Sequence, residues 1–204
     1  MDSDTNSNSL DATQLFSECL EQATAVVKQV MPSQYANATP DTESDVRDVT
    51  SHMLNILQLV SQSISGETIE TDEDALESSI DRAAFDLSVQ WQVAVDRVEM
   101  LLADIDLEAQ IDFNDGKIQA DNFLVQLAGD LLIHAWDLGE AIGMPVKFGQ
   151  EVAEAIMETT IVPNNVALPF HNLFAEPISP PAGADLQTRL LALFGRSYAW
   201  RSAN

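Results

Sequence analysis

The stretch DLLIHAWDLGEAIG, residues 130–143, carries most of the information about the fold class. Its apolar residues recur at helical spacing, and Gly143 followed by Pro145 is typical of a helix end. We therefore predict a long amphipathic helix from about Ala120 to Ile142. Helical residues four apart lie about 40° from each other around the axis. Asp130 and His134 consequently fall on the face that should be apolar.

The predicted inward stripe of this helix mixes apolar and polar side chains. Its members are Leu127, Asp130, Leu131, His134, Leu138 and Ala141. Trp136, Gly139 and Glu140 are predicted to point away from this stripe, with Trp136 packed against a neighbouring helix. A second helix shows a similar pattern, because His52 shares a face with Val49, Met53, Ile56 and Val60.

Polar groups on inward stripes need partners, because burying them unpaired costs several kcal/mol. One hypothesis is a core network in which these side chains hydrogen-bond each other. The other is a divalent metal, since two imidazoles and a carboxylate fill three ligand positions and leave others open for water or substrate. The residues alone leave both hypotheses open.

Outside this helix, apolar periodicity and turn residues divide the chain into further elements. We predict helices over 10–30, from Ser44 or Asp45 to about residue 65, over 72–103, over 149–160 and over 185–195. Asn114-Asp115-Gly116 indicates a small hairpin or a crossing loop. Residues 162–184 hold five of the eight prolines and are predicted to form an extended strap. The fold class is therefore all-α: a four-helix bundle with short additional C-terminal helices and a proline-rich strap.

The charge balance excludes several partners. Nine basic residues stand against 33 acidic ones, a net charge of −24, which repels nucleic acid and anionic lipid. An apolar content of 46% argues against a disordered acidic chain. Such a surface instead suits a salt-rich cytoplasm, so we predict a halophilic, acidic protein.

Location and domain organisation follow from the remaining features. No apolar run approaches the ~18 residues of a membrane span, and no signal peptide is evident. We expect a cytoplasmic protein with a flexible tail at 1–8 and a single bundle domain at 9–204. One cysteine, Cys19, rules out an internal disulfide and is predicted to be a buried, inert thiol. A homodimer through the first and third helices is one arrangement this bundle would allow.

Three segments together resemble a known family: VRDVTSHML at 46–54, DLLIHAWDLGEAIG at 130–143 and RLLALFGR at 189–196. They are similar to the DinB/YfiT-like superfamily, in the branch of the mycothiol-dependent maleylpyruvate isomerase N-terminal domain. The most specific part is HAWDL preceded by DLLI. The resemblance implies a DinB-like four-helix bundle with a divalent metal at one end of its core.

The family's ligand positions map onto His52, Asp130 and His134 of this chain. Asp130 departs from the His or Glu that many relatives carry there. The implied cofactor is a divalent metal ion, zinc in the first place, with nickel, iron or manganese compatible with the same ligands. The resemblance also implies a low-molecular-weight thiol and a small electrophile as partners. The loop ATPDTESDV lacks the Cys and Trp of relatives, and we expect no second C-terminal domain of the kind the full isomerase carries.

Three functions are compatible with the sequence. The first is a metal-dependent thiol transferase or isomerase, or a hydrolase using the same metal. The second is a non-catalytic metal-binding bundle, and the third is a purely structural bundle. For Asp137 a helix-surface or interhelical hydrogen bond is favoured over a role in orienting an imidazole. His171, in the strap, is predicted to face solvent rather than cover the site.

Overall fold

The computed structural model describes residues 10–66, 87–113, 116–160 and 175–200. A short 3-10 turn at Pro32–Gln34 follows the first helix. The helices are α1 (Ala12–Val27), α2 (Val46–Ser65), α3 (Ser88–Leu102), α4 (Ala120–Ile142), α5 (Gln150–Thr160) and α6 (Leu186–Leu193). The predicted tail at 1–8, the predicted start of the third helix near residue 72, and His171 lie outside the described residues.

Caps explain where the two helices nearest the site begin and end. The Asp45 carboxylate accepts a hydrogen bond from the Asp48 amide at 2.9 Å, so α2 starts as the sequence predicts. Gly66 ends α2 with φ 68°, and Gly143 ends α4 with φ 76°, both in the left-handed conformation that glycine adopts readily. The start and end predicted for α4 are confirmed.

Two other predicted helices are longer than the observed ones. The first was expected over 10–30 but ends at Val27, where the amides of Gln29 and Val30 bond three residues back and tighten the chain. The last was expected over 185–195 but covers Leu186–Leu193, because Asp185 is its N-cap and Gly195 has φ 73°. Fraying and tight final turns explain both differences.

The hairpin expected after α3 is present. Strands β1 (Gln110–Phe113) and β2 (Gly116–Gln119) pair antiparallel, with Ile111 opposite Ile118. The predicted turn residues Asn114 and Asp115 lie outside the described residues. Because β2 runs directly into α4, the hairpin sets where this helix enters the bundle.

The first four helices form the predicted four-helix bundle. Helix α4 packs against α1, α2 and α5, while α2 and α1 also contact α3. The Asn37 side chain donates to the Ala141 carbonyl at 3.1 Å, and the Val46 amide donates to the Asn37 carbonyl at 3.1 Å. The beginning of α2 therefore lies beside the end of α4, and the two helices run antiparallel. None of the helices in the described ranges is long and apolar enough to cross a membrane.

The prediction that α4 is amphipathic is wrong for its central part. Every residue from Leu127 to Gly139 is buried, including Gly139, which was expected to point away from the core, and Trp136, which was expected to pack against a neighbouring helix. The backbone after the helix covers this side: the Met144 amide donates to the Gly139 carbonyl at 2.7 Å, and a methyl group on Gly139 would overlap the Met144 carbonyl oxygen. Helix α4 is thus a central helix, surrounded by its neighbours.

The C-terminal residues 175–196 pack near the end of α4, where Arg196 contacts Asp137. Residues 175–184 lie outside the named helices and strands, and most are exposed, as predicted for the strap, whose earlier part at 161–174 is outside the described residues. The Ile178 amide donates to the Ala192 carbonyl at 2.9 Å, which holds this segment against α6. The chain then turns at Gly195 and places Arg196 in the interior.

Candidate metal centre

Asp130 and His134 form a buried pair on α4. One helical turn separates them, and the His134 Nε2 atom lies 3.1 Å from Asp130 Oδ1. Their side chains are 4% and 5% exposed, so both groups are shielded from bulk water. The inward position that the sequence predicts for this pair is confirmed.

His52 approaches the pair from α2. Its Nε2 atom lies 3.4 Å from both carboxylate oxygens of Asp130. The ring centroids of His52 and His134 are 4.7 Å apart with an interplanar angle of 71°. The sequence predicts that His52 points toward the core. Its side chain is 38% exposed, so this histidine instead lies at the rim of the bundle.

The donor set fits a divalent cation. One ligand atom from each of His52, Asp130 and His134 can be chosen so that all lie within 4.8 Å of one another. Ligands at ~2.0 Å from a tetrahedral metal are ~3.3 Å apart, close to the 3.1 and 3.4 Å separations between Asp130 and the two imidazoles. A 3.4 Å contact is long for an N–H···O hydrogen bond, so hydrogen bonding alone satisfies His52 weakly.

The other nitrogen of His134 contacts Asp137. Its Nδ1 atom lies 3.1 Å from Asp137 Oδ2, and the Asp137 side chain is fully buried. The helix-surface interpretation of Asp137 is therefore wrong. Donation of the Nδ1–H proton to this carboxylate leaves Nε2 as the nitrogen that faces Asp130, which is the arrangement common around metal-binding histidines.

Asp137 is in turn held by Arg196, a residue that sequence reasoning did not place at the site. The Arg196 Nη2 atom lies 2.9 Å from Asp137 Oδ2, and Nε lies 3.1 Å from both oxygens. Nη2 also lies 3.3 Å from Asp41 Oδ2. Asp41, His134 and Asp137 could by spacing hold an ion as well, but the guanidinium already supplies the positive charge between the two carboxylates.

Electrostatics differ for the two buried partners. Burial would raise the pKa of Asp130, but the charge of His52 and hydrogen bonds from both histidines outweigh it and hold that pKa well below its usual range. Burial would lower the pKa of His134, but hydrogen bonds to Asp130 and Asp137 outweigh it and raise the pKa to about 9. Without a metal, the pair is therefore an imidazolium beside a carboxylate at neutral pH.

The pair predicts how the stability of the metal-free protein depends on pH. His134 has its pKa raised from 6.5 to about 9, so its contribution is complete below pH 6.5 and is lost as the pH rises through about 9. The lowered pKa of Asp130 adds stability above its ordinary value of 3.8, which is lost in acid. We expect the free energy of unfolding, measured with urea in the presence of chelator, to fall between pH 6.5 and 9.

The control for this prediction is His134→Gln, which removes the titrating imidazole. Its free energy of unfolding should show a clearly smaller decline over the same alkaline range. An equal decline in both proteins would mean that another group is responsible.

Cys19 lies apart from this centre. It is buried in α1, and burial together with the nearby Glu18 raises the pKa of its thiol well above the ordinary range. A buried thiol that keeps its proton is a poor nucleophile. The structure thus agrees with the prediction of a buried, inert cysteine.

Taken together, the chain is a helical bundle with a His-Asp-His candidate metal centre between α2 and α4. Residues 16–139 match the family described as the mycothiol maleylpyruvate isomerase N-terminal domain, and the chain belongs to this family. The match covers more than half of the chain and includes all three candidate ligands.

The comparison with solved structures agrees with the family. The crystal structure of the mycothiol-dependent maleylpyruvate isomerase is similar, with 14% sequence identity and a TM-score of 0.54. The alignment covers 73% of this chain and 66% of that chain, so this chain corresponds to somewhat less than two thirds of the isomerase. At this identity the likeness shows the fold, which confirms the DinB-like bundle. No curated protein matches the sequence.

Proposed function

We propose that this protein is a divalent-metal-dependent enzyme that joins a low-molecular-weight thiol to a small electrophile or isomerises such a compound. His52, Asp130 and His134 are the proposed ligands, and zinc is the first candidate metal. The observation that carries the proposal is the convergence of two imidazole nitrogens on one buried carboxylate, at separations of 3.1 and 3.4 Å.

The ligand set leaves room for chemistry. Three protein ligands leave at least one position open on a tetrahedral metal. When bound, such a cation lowers the pKa of a coordinated thiol or water and so supplies a nucleophile near neutral pH.

The chain's own residues orient and shield the site. Asp130 supplies the negative charge, and it is 3% exposed, so bulk water does not screen it. Asp137 holds the Nδ1 side of His134 and keeps its Nε2 directed toward Asp130. His52, with an exposed fraction of 38%, marks the side from which small molecules reach the site.

The family supports a thiol as the partner. The solved relative is a mycothiol-dependent isomerase, and the matched family is named for the same activity. Both features fit a thiol nucleophile and an unsaturated or strained electrophile. We propose these partners by chemical class.

A purely structural bundle is the competing function. Asp130 already contacts both imidazoles, and a carboxylate with two such partners satisfies much of a buried polar cluster without a metal. A third possible function is a bundle that binds the metal but catalyses no reaction. Metal content separates the structural bundle from the others, and turnover separates the remaining two.

The test is a conjugation assay on the zinc-loaded protein. Several small thiols are paired with a panel of epoxides and unsaturated ketones, with and without chelator, and products are identified by mass spectrometry. We expect chelator-sensitive adduct or isomer formation that His134→Ala abolishes. Chelator-sensitive addition of water would instead identify a hydrolase, and a metal-loaded protein inert toward the whole panel would favour the non-catalytic bundle.

We also propose that the protein works in a salt-rich cytoplasm, and its charge predicts a salt effect. At a net charge of −24, carboxylates repel each other most in the compact state. The Debye length falls from about 10 Å at 0.1 M salt to about 3 Å at 1 M. We expect raising KCl from 0.1 to 2 M to increase Tm by at least about 2–4 °C, the shift that about 1 kcal/mol gives in a chain of this size.

Differential scanning calorimetry with sucrose at equal osmolarity as control measures this effect. Sucrose reproduces general exclusion from the surface without screening charge. A rise in Tm that is no larger in KCl than in sucrose would contradict the salt-adapted interpretation.

A further inference from the structure

Arg196 is buried in an unusual position for an arginine. It is 2% exposed, and its guanidinium contacts Asp137, Asp41 and the Phe194 carbonyl. Two of its nitrogens reach Asp137, with separations of 2.9 and 3.1 Å. A planar fork of this kind fixes the orientation of a carboxylate, which a single point charge does not.

The fixed carboxylate is the one that holds His134. Asp137 Oδ2 accepts hydrogen bonds both from the guanidinium and from the His134 Nδ1–H group at 3.1 Å. Arg196, which lies 59 positions after Asp137 in the chain, is thus connected to the His134 imidazole through this carboxylate.

Arg196 also reaches the loop that precedes the helix of His52. Its Nη2 atom lies 3.3 Å from Asp41. This loop is closed by the Thr39 hydroxyl, which lies 2.9 Å from the Asp41 carbonyl and 2.8 Å from the Ser44 carbonyl, just before α2 begins. The Arg196 guanidinium therefore contacts both Asp137, which hydrogen-bonds His134, and Asp41, in the loop that leads into the helix of His52.

We propose that Arg196 is a positioning residue of the metal centre, which acts through Asp137 to hold the His134 imidazole with Nε2 directed at Asp130. The proposal rests on the proposed metal function of His52, Asp130 and His134. It makes the docking of the C-terminal segment after α6 a condition for tight binding of the cation.

Four variants separate positioning from general stability. Arg196→Lys keeps the charge and loses the fork, and Arg196→Gln loses both. Asp137→Asn alters the partner through which Arg196 acts. Gln187→Ala is the matched control, because the Gln187 side chain docks α6 elsewhere: it accepts from the Phe148 amide at 3.1 Å and donates to the Val146 carbonyl at 2.9 Å.

The first readout is the dissociation constant for Zn²⁺ and Co²⁺, measured against a chromophoric chelator. We expect a ten- to hundredfold weaker affinity for Arg196→Gln and Asp137→Asn, the range typical of residues that orient a metal ligand. Arg196→Lys should weaken binding about tenfold and change the visible Co²⁺ bands. Gln187→Ala should lower Tm and leave both affinity and bands unchanged.

Combining Arg196→Lys with Asp137→Asn tests whether the two residues act in series. If Arg196 acts through Asp137, the double variant binds Zn²⁺ no more weakly than Asp137→Asn alone. Additive losses would overturn the proposed route. The positioning role would be overturned if Arg196→Lys bound Zn²⁺ as tightly as wild type. It would also be overturned if Gln187→Ala lost as much Zn²⁺ affinity as Arg196→Lys. If Arg196→Gln does not fold, Arg196→Lys is the variant that decides the test.

A second readout needs no metal. In the chelator-treated protein we expect a slowly exchanging downfield proton resonance from His134 Nδ1–H, lost in Asp137→Asn, weakened in Arg196→Lys and retained in Gln187→Ala. If the His134 Nδ1–H proton of Arg196→Lys exchanged with solvent as slowly as in wild type, the proposal would be overturned. A wild-type protein that shows this resonance but binds neither Zn²⁺ nor Co²⁺ would refute the proposed metal function. The hydrogen-bonded chain Arg196–Asp137–His134 would then be structural only, and the positioning of a metal ligand would be refuted with the metal.

Discussion

Asp130→Asn is expected to weaken divalent-cation binding by more than about a hundredfold, beyond the loss typical of residues that only orient a ligand. Asp130 supplies the negative charge of the candidate centre and lies 3.1–3.4 Å from both imidazole Nε2 atoms. An asparagine keeps the size but loses the charge. Competition titrations with Zn²⁺ and a chromophoric chelator measure the change.

Asp121→Asn is the matched control for this substitution. Asp121 lies in the first turn of the same helix, and its replacement changes the net charge by the same amount. We expect it to leave the affinity for Zn²⁺ unchanged. Equal affinities for wild type and Asp130→Asn would remove Asp130 from the ligand set.

Asp137→Ala is expected to cost about 3–5 kcal/mol of unfolding free energy, the loss typical when one partner of a buried ion pair is removed. The substitution removes the closest carboxylate from the buried Arg196 guanidinium and leaves the half-buried Asp41 at 3.3 Å, and it also removes the contact to His134 Nδ1. Urea unfolding of the metal-free protein at pH 6 measures the change.

Asp185→Ala provides the comparison for this stability loss. Asp185 is exposed and caps α6 by accepting from the Thr188 amide at 2.8 Å, so its loss should cost about 1 kcal/mol. If Asp137→Ala lowers the free energy of unfolding by no more than Asp185→Ala does, the buried cluster contributes little to stability. The account of Asp137 and Arg196 as a structural link would then be wrong.

Local signals in the sequence were sufficient for most element boundaries. Asp45 before an apolar run predicts the start of α2, and Gly143 followed by Pro145 predicts the end of α4, because caps depend on neighbouring residues alone. The i,i+4 spacing of Asp130 and His134 likewise predicts their contact, since the helix itself brings them together.

Long-range packing was not accessible in the same way. The sequence predicts an amphipathic α4, but the segment after Gly139 and the surrounding helices bury it on all sides. Periodicity reports the apolarity of a face and not the number of neighbours around it. Gly139 was misplaced for this reason.

The supports of the candidate site were missed for a related reason. Asp41 and Arg196 meet only because a loop before α2 and the turn after α6 reach the same end of the bundle. An arginine following an apolar helix gives no sign that it is buried. The one available signal was the resemblance of RLLALFGR to the family's C-terminal tail, which marks the segment but not the contact with Asp137.

The most direct test of the central claim is the metal content of the protein, purified without chelator and then titrated with Zn²⁺. Close to one equivalent of tightly bound metal, lost when His52, Asp130 or His134 is replaced by alanine, is the result this account predicts. Less than about a tenth of an equivalent after Zn²⁺ titration and desalting would contradict it, because a preformed centre of two imidazoles and a carboxylate should retain its ion.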